Sequence, residues 1–260
     1  MNARADLHCP PRRPHAWVWA AVVLHLLVAL AWWRFGWVAG LAALVAVHLL
    51  FVWGTLRPQS RLFGPVLVRL PAREPVAWLT IDDGPSDDTA AMLDLLDAHG
   101  ARATFFVVAR RAVARPELVR EIVRRGHGLG NHSTSHPSAW FWALGPRRMA
   151  EEISHAQRLL QATSGTLPRW FRAVVGMANP FACSPLQRLG LARVAWSARG
   201  FDAVDGDPAR VVARIERDLE PGAIVLLHEG AGHGRSVEVL QALLERMGAL
   251  GYRCVLPEEL

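Results

Sequence analysis

Two long apolar runs near the start of the chain constrain its fold more than any other feature. The runs span Ala16 to Trp33 and Trp37 to Trp53, and each is interrupted by a single histidine. At 1.5 Å per residue, a helix of this length reaches about 26 Å, just enough to cross a thin hydrocarbon layer. Only Arg34-Phe35-Gly36 separates the two runs. We therefore predict a transmembrane helical hairpin at 15–54.

A soluble helical hairpin and a cleaved signal peptide are the alternatives. A soluble hairpin is disfavoured because both faces of both runs are apolar, whereas a surface helix keeps a polar face. A signal peptide is disfavoured because a second apolar run follows the first after a short interruption. Six of the 11 tryptophans lie in the first 53 residues, near the ends of the runs, as expected of an aromatic belt at a bilayer surface.

The basic residues predict how the hairpin is oriented. The chain carries 29 basic and 23 acidic residues, a net charge of +6, and every basic residue is arginine. We attribute this arginine usage to codon composition and predict no nucleic-acid partner. Only Arg34 lies in the turn, whereas both flanks of the hairpin are rich in arginine. The positive-inside rule then predicts a bacterial inner-membrane protein with both flanks in the cytoplasm, the periplasm being the alternative. The flanking arginines are Arg4, Arg12, Arg13, Arg57, Arg61, Arg69 and Arg73.

One histidine lies deep in each predicted span, His25 in the first and His48 in the second. The two side chains are expected to meet across the hairpin. An ionisable group at this depth is a functional hypothesis. A neutral imidazole that bonds to the neighbouring helix is the structural alternative, which we favour.

Beyond the hairpin, strands alternate with helices. We predict a basic tail at 1–14, a connector at 55–73 and a second domain at 74–260. The hydrophobic content of 52% excludes disordered and collagen-like chains. Alternating strands and helices predict a parallel sheet or barrel, with functional side chains at the carboxyl ends of the strands. The predicted strands are Val76–Asp82, Ala103–Val108, Gly128–Asn131, Trp170–Arg172, Arg193–Trp196, Ala223–Leu227 and Tyr252–Leu256. The predicted helices are Asp88–His99, Pro116–Arg125, Pro146–Thr163, Pro208–Leu219 and Ser236–Leu250.

Two adjacent carboxylates, Asp82 and Asp83, end the first predicted strand. A Gly-Pro turn follows them, so their side chains point in different directions and one can bind a metal while the other holds a water. An Asx turn or helix cap is the structural alternative. After the third strand, His132 and His136 would share one face if the segment turned helically. Two imidazoles and one carboxylate form a catalytic rather than a closed structural metal site.

These segments resemble the first two motifs of the NodB-type polysaccharide deacetylases, carbohydrate esterase family 4. The sequences TIDDGP at 80–85 and HSTSH at 132–136 match both motifs, and the resemblance covers about residues 74–260. It implies an α/β fold, a distorted (β/α) barrel, preceded here by two transmembrane helices. It also implies a hydrolase that removes an acyl group from a sugar amide with one divalent metal ion. Zinc is the expected metal, with cobalt, nickel and manganese as alternatives.

The resemblance also implies a role for each matching residue. The later motifs depart from the family at two places, because Val174-Val175 replaces proline and tyrosine, and Ala203 replaces tryptophan. The implied roles are Asp82 as general base, Asp83, His132 and His136 as metal ligands, Arg172 as the partner that orients Asp82, the Val175 backbone N–H as oxyanion donor, Leu226 as part of the acyl pocket, His228 as general acid and Asp202 as its partner.

The cytoplasmic orientation and the altered residues Val175 and Ala203 favour a small or lipid-linked amino sugar over a long glycan. The partners expected are therefore an N-acylated amino sugar or glycan, and membrane lipid. Hydrolysis of a non-sugar amide is one alternative, and a non-catalytic glycan- or lipid-binding module is another. Trp140-Phe141-Trp142, shortly after the metal-binding motif, is either core or a hydrophobic lip that enters the bilayer interface.

Overall fold

The computed structural model describes residues 7–260, so Arg4 and the first part of the predicted basic tail lie outside the described residues. Helix α1 (Ala16–Phe35) and helix α2 (Trp37–Leu56) form an antiparallel pair. Gly36 joins them with φ of 84°, a conformation that favours glycine. Both helices are long and apolar enough to cross a membrane. Most of their large apolar side chains are exposed, and such a surface needs lipid or a partner to cover it.

The two helices pack closely along the hairpin. Gly40 of α2 lies against the ring of Trp32, and a Cβ at this position would approach that ring to 2.5 Å. The rings of His25 and His48 meet at a centroid distance of 5.6 Å, so the expected contact is confirmed. Each Nδ1 lies within hydrogen-bond distance of a carbonyl one turn earlier in its own helix, 2.7 Å for His25 and 2.9 Å for His48, and not of the neighbouring helix as we favoured.

The rest of the chain forms a curled parallel sheet with helices packed outside it. Apolar strands covered on both sides belong to such sheets, and the two longest strands here are buried along nearly their whole length. The strand order is β5-β4-β3-β2-β1-β7-β6, and β8 pairs with the start of β1. The strands are β1 (Val76–Gly84), β2 (Ala103–Val107), β3 (Gly128–Asn131), β4 (Trp170–Phe171), β5 (Ala192–Arg193), β6 (Ala198–Arg199), β7 (Ala223–His228) and β8 (Arg253–Cys254).

Seven α-helices of the described chain follow the hairpin, and most lie between successive strands. The predicted barrel-like α/β fold is confirmed, with the sheet curled into a half-barrel. Three elements were not predicted, namely β6 and two short helices, because two-residue strands and one- or two-turn helices are too short for a periodic pattern. The helices are α3 (Thr89–Ala98), α4 (Ala109–Ala114), α5 (Pro116–Arg124), α6 (Pro146–Ser164), α7 (Cys183–Leu189), α8 (Pro208–Arg217) and α9 (Ser236–Ala249).

Two clusters of buried side chains hold the sheet in this shape. One lies between the sheet and its outer helices, and includes Ile81, Phe105 and Leu227. The other fills the inside of the curl and includes Trp78 and Phe106. The first cluster joins the sheet to α3, α5, α8 and α9, so the outer helices fix the positions of the strand ends.

The end of the hairpin contacts the loops at the carboxyl edge of the sheet. The backbone N–H of Ala178 donates to the carbonyl of Thr55 over 2.8 Å. The Gln59 side-chain amide donates to the carbonyl of Trp196 over 3.2 Å. Near the start of α1, Trp17 packs edge-on against Phe181. The two apolar helices are therefore attached next to the edge where functional side chains are expected.

Candidate active site

The carboxyl ends of the neighbouring strands β1 and β7 bring a carboxylate and an imidazole side by side. Asp82 of β1 is directly paired in register with His228 of β7. On the other side of β1, the chain leaving β3 carries His132, whose backbone N–H donates to the carbonyl of Val107 over 3.1 Å. The parallel register thus brings Asp82 and His228, which are 146 positions apart in the sequence, to the same edge of the sheet. This agrees with the expectation that functional side chains lie at the carboxyl ends of the strands.

Asp83, His132 and His136 form a compact cluster of potential metal ligands. The Asp83 Oδ1 atom lies 3.0 Å from Nε2 of His136 and 3.4 Å from Nε2 of His132. The Nδ1 atom of His132 lies 3.0 Å from the carbonyl of Arg172. With Nδ1–H as the donor there, the Nε2 lone pair faces Asp83, the arrangement that metal-binding histidines need.

The turn that joins the two histidines is not helical, so this part of the sequence prediction is wrong. Ser133 and His136 have positive φ values of 69° and 53°, and Asp83 has a φ of 75°. Hydrogen bonds within the turn hold it closed, with Ser133 N–H donating to Asn131 Oδ1 and His136 N–H donating to Ser133 Oγ. Such backbone conformations concentrate at functional sites, where the surroundings fix them.

The residues of this cluster fit a divalent metal ion. Ligand atoms each about 2.0–2.1 Å from a cation lie about 2.9–3.4 Å from one another, which agrees with the spacing around Asp83 Oδ1. That oxygen is buried and accepts no hydrogen bond from the described residues. Burial alone would raise the pKa of Asp83, but the two imidazoles hold this pKa well below its usual value. Burial alone would lower the pKa of His132, but the carboxylates of Asp82 and Asp83 outweigh burial and raise it. The negative charge of these two carboxylates would also attract a metal cation.

Asp82 is held by a buried arginine. Nη1 of Arg172 donates to Oδ1 of Asp82 over 2.8 Å and to Oγ1 of Thr80 over 2.7 Å, and Nη2 donates to the carbonyl of Ala195. The guanidinium also lies 4.2 Å from the ring centroid of Phe106. Burial lowers the pKa of Arg172, and the Asp82 carboxylate opposes this change. One carboxylate oxygen is thus fixed by Arg172, while Oδ2 lies 3.8 Å from Nε2 of His132.

His228 is oriented by Asp202. Oδ2 of Asp202 accepts from the His228 backbone N–H over 2.6 Å, and Oδ1 lies 3.1 Å from Nδ1 of the ring. Burial would lower the pKa of His228, but the hydrogen bond and charge of Asp202 outweigh burial and raise it. His233 supports Asp202 in turn, because its Nε2 lies 2.6 Å from the Asp202 carbonyl while its Nδ1 accepts from Arg235 N–H.

The two remaining predicted residues, Val175 and Leu226, lie in the loop after β4 and in β7. Val175 has a φ of 55°, a rare conformation for a β-branched residue, and its side chain is 57% exposed. Leu226 is buried inside the curl of the sheet, two residues before His228. All nine predicted site residues therefore lie on the carboxyl-edge strands and loops.

Two carboxylates that sequence reasoning missed accept hydrogen bonds from the loops that carry the candidate metal ligands. The Glu152 side chain of α6 accepts from the backbone N–H groups of Thr134 and Ser135 and from the Ser135 hydroxyl. Glu229 accepts from Ser86 N–H and Oγ and from the Thr89 hydroxyl, and burial raises its pKa against these hydrogen bonds. Oε1 of Glu229 also approaches Gly84 so closely that a Cβ there would collide with it. Neither glutamate is marked by a motif, since each acts across the fold.

We expect Glu152→Ala to lower the free energy of unfolding by about 3 kcal/mol, because two buried N–H groups lose their acceptor. Zinc affinity should fall with it, since the turn between His132 and His136 loosens. Denaturant unfolding and zinc titration measure the two effects. Glu151→Ala is the matched control, because this neighbouring side chain is exposed and pairs with the exposed Arg148; a loss as large as for Glu152 would contradict the assignment.

Comparison with known proteins agrees with the geometry. A model of the polysaccharide deacetylase family matches residues 69–194. The chitooligosaccharide deacetylase of Bradyrhizobium sp. (strain ANU 289) is 35% identical over 179 residues, which are 67% of this chain and 81% of that protein. The chain belongs to the polysaccharide deacetylase family. The peptidoglycan-N-acetylglucosamine deacetylase of Bacillus cereus is 30% identical over 210 residues, 79% of this chain and 97% of that protein.

Solved structures of the deacetylase family share the fold. The family 4 carbohydrate esterase from Streptomyces lividans, in complex with acetate, aligns with a TM-score of 0.65 and 29% identity, over 71% of this chain and 95% of that one. A family 4 pseudoenzyme from Bacillus anthracis aligns with a TM-score of 0.67 at 22% identity, over 73% of this chain and 66% of that one. Because a pseudoenzyme has the same fold, the fold alone does not make a chain catalytic, and the residues of the site decide.

Proposed function

We propose that this polysaccharide deacetylase family member is a membrane-anchored, metal-dependent hydrolase that removes an N-acyl group, acetyl in the first instance, from a lipid-linked amino sugar. The observation that carries the proposal is the assembly of Asp82, His228 and the Asp83-His132-His136 cluster at one edge of the sheet. We assign the hydrolase domain to 74–260 and place it on the cytoplasmic side of the inner membrane.

Amide hydrolysis requires an activated water, a stabilised oxyanion and a proton for the leaving nitrogen. Asp83, His132 and His136 would hold a divalent cation, which would lower the pKa of the attacking water and polarise the acyl carbonyl. The free oxygen of Asp82 takes the proton of the attacking water, while Arg172 fixes the other oxygen. His228, oriented by Asp202, then gives a proton to the departing amine. Each group thus performs one step from a fixed position.

The Val175 backbone N–H is assigned to the oxyanion. Among the backbone hydrogen bonds of the described residues outside helices and strands, none has this N–H as donor. Its strained φ holds the peptide in the orientation it has. Removing one such donor typically costs about 100-fold or more in turnover, and valine supplies it as well as tyrosine does.

The exposed apolar side chains around the site support a lipid-linked substrate. They lie on three loops, and one of these loops is bonded to the end of α2 through Ala178 and Thr55. Asn179 ties this loop to the tryptophan segment, since its amide donates to the carbonyls of Phe141 and Trp142. Phe141 is buried, so the predicted lip has a core residue between two exposed ones. The exposed residues are Trp140 (67%), Trp142 (48%), Val175 (57%), Phe201 (46%) and Val204 (84%).

The decisive experiment compares two substrates with the purified full-length protein in detergent. We expect acetate release from polyprenyl-linked N-acetylhexosamine at a kcat/KM well above that for chitooligosaccharides. Release from chitooligosaccharides but not from the lipid-linked sugar would overturn the lipid-linked substrate.

A fluorescent protein fused after Leu260 tests the orientation, since it should fluoresce, whereas a phosphatase fused at the same place should be inactive. An active phosphatase would place the hydrolase domain in the periplasm.

The Asp202–His228 pair predicts a pH effect. Because Asp202 raises the pKa of His228, the protonated acid persists to higher pH than an ordinary histidine would allow. Asp202→Asn removes the charge, so the alkaline limb of the kcat/KM profile should move to lower pH, with a lower maximum. Profiles recorded for both proteins at equal zinc content measure the shift. An unchanged alkaline limb would show that His228 is not the acid whose titration limits the rate.

A further inference from the structure

Arg199 ends β6 beside the proposed catalytic acid. It is paired in register with Leu226 of β7, two residues before His228. Its guanidinium carbon lies 4.0 Å from the ring centroid of Phe201 and 5.2 Å from that of Trp196. The two aromatic rings fix this cation at the edge of the site.

The guanidinium has no anionic partner in the part of the chain that the structure describes, residues 7–260. Its Nε atom is buried without a hydrogen-bond acceptor. The charge of Asp202 favours the guanidinium, but both carboxylate oxygens of Asp202 are engaged with His228. The Nε of Arg172 is buried without an acceptor too, but the other nitrogens of Arg172 donate to three oxygens, one of them on the Asp82 carboxylate. A half-buried, unpaired arginine is costly, and its donors remain available for a ligand.

The backbone beside Arg199 is strained in a way that maintains this arrangement. Phe201 has a φ of 62°, in the left-handed region, although it is neither glycine nor asparagine. A conformation of this kind is unfavourable and persists only where the surroundings hold it. It places the ring over the guanidinium, and Val204 in the same turn is almost fully exposed.

We propose that Arg199 binds the phosphate that joins the amino sugar to its lipid carrier, an inference that rests on the proposed function. The planar guanidinium matches phosphate oxygens, which can accept two parallel hydrogen bonds from it. In a 2-acylamino sugar 1-phosphate, the phosphate and the amide are on neighbouring carbons, so a phosphate site must adjoin the catalytic acid. Exposed Phe201 and Val204 then lie where the isoprenoid chain leaves the site. A neutral glycan would leave this cation unused.

The kinetic test uses Arg199→Gln and Arg199→Lys on a polyprenyl-phosphate-linked N-acetylhexosamine and on a neutral chitooligosaccharide. For Arg199→Gln, we expect KM for the lipid-linked substrate to rise about 10- to 100-fold, with a much smaller loss on the neutral one. Arg199→Lys should recover part of the loss. Arg217→Gln, at an exposed arginine of α8, is the control and should change neither. Equal losses on both substrates, or no loss on either, would overturn the proposal.

A binding test separates this inference from the proposed function. Farnesyl phosphate and farnesol differ only in the phosphate, and their affinities for zinc-loaded protein are measured by calorimetry in detergent. We expect the wild type to bind farnesyl phosphate at least tenfold more tightly, and Arg199→Gln at equal zinc content to remove most of that difference. A preference that survives Arg199→Gln would overturn the phosphate site, even if the lipid-linked sugar is hydrolysed. If the preference depends on Arg199 but no lipid-linked sugar is hydrolysed, the site stands and the proposed function fails.

Vesicles containing phosphatidylglycerol distinguish a substrate phosphate from a lipid headgroup. Arg199→Gln should leave co-sedimentation with these vesicles unchanged, because the hairpin provides the membrane attachment. A loss of vesicle binding with unchanged affinity for farnesyl phosphate would assign Arg199 to headgroups and overturn the substrate site.

Discussion

Replacing Asp82 by asparagine should lower kcat by about 1,000-fold or more while the protein keeps its fold and its metal. The amide cannot take the proton of the attacking water, and general base catalysis contributes about 100- to 10,000-fold. Asparagine can still occupy the space beside Arg172 and accept its hydrogen bond, so the buried site remains filled. Acetate release measured with saturating substrate, together with zinc content, tests both parts of the expectation.

Two comparison variants make the Asp82 result interpretable. Asp83→Asn should lose zinc as well as activity, because Asp83 Oδ1 lies closest to both imidazoles. Asp87→Asn, at a side chain that is 95% exposed, should retain both. An Asp82→Asn protein that retains zinc and nearly full activity would refute the assignment of Asp82 as the base.

Replacing Arg172 by methionine should lower the free energy of unfolding by about 3–5 kcal/mol, because the change leaves the buried Asp82 carboxylate without its partner. The side chain is fully buried and bonds Asp82, Thr80 and the Ala195 carbonyl, so three acceptors lose a donor together. Denaturant unfolding of the metal-free protein isolates this effect from metal binding.

The Arg172 prediction also has a matched test. Adding Asp82→Asn to Arg172→Met should recover part of the lost stability, since the uncompensated charge is then gone. Arg188→Met, at an exposed arginine of α7, should change the unfolding free energy by less than about 0.5 kcal/mol. A double variant no more stable than Arg172→Met would show that packing around Phe106, rather than the unpaired charge, determines the loss.

The site could be predicted from sequence where short motifs coincide with strand ends. Asp82 and Asp83 follow a continuous apolar strand, and the parallel sheet brings the chain after β3 beside them, so their meeting with His132 follows from topology. The turn between His132 and His136 could not be predicted, because its positive φ values at Ser133 and His136 depend on hydrogen bonds to Asn131 and Glu152. A helical spacing was the natural but wrong assumption.

Three residues near the site, Glu152, His233 and Arg199, escaped prediction for a common reason. Glu152 accepts from Ser135 N–H over 17 positions of the chain, and His233 reaches the Asp202 carbonyl over 31 positions. Arg199 lies on a two-residue strand that has no periodic signal, and its lack of a partner is visible only in three dimensions. Arg172 and Asp202 also orient their neighbours, but both lie in family motifs, whereas residues outside a motif are positioned only by the fold.

The central claim is that Asp83, His132 and His136 hold a metal ion that this site uses to hydrolyse the N-acyl amide of an amino sugar. The most direct measurement is acetate release from an N-acetylated amino sugar by the purified full-length protein, before and after chelation and after zinc is restored. The account predicts release that is lost on chelation, returns with one zinc per chain, and does not return in His136→Ala. Release that persists in the chelated protein, or no release from any N-acetylated amino sugar by protein with one zinc bound, would contradict it.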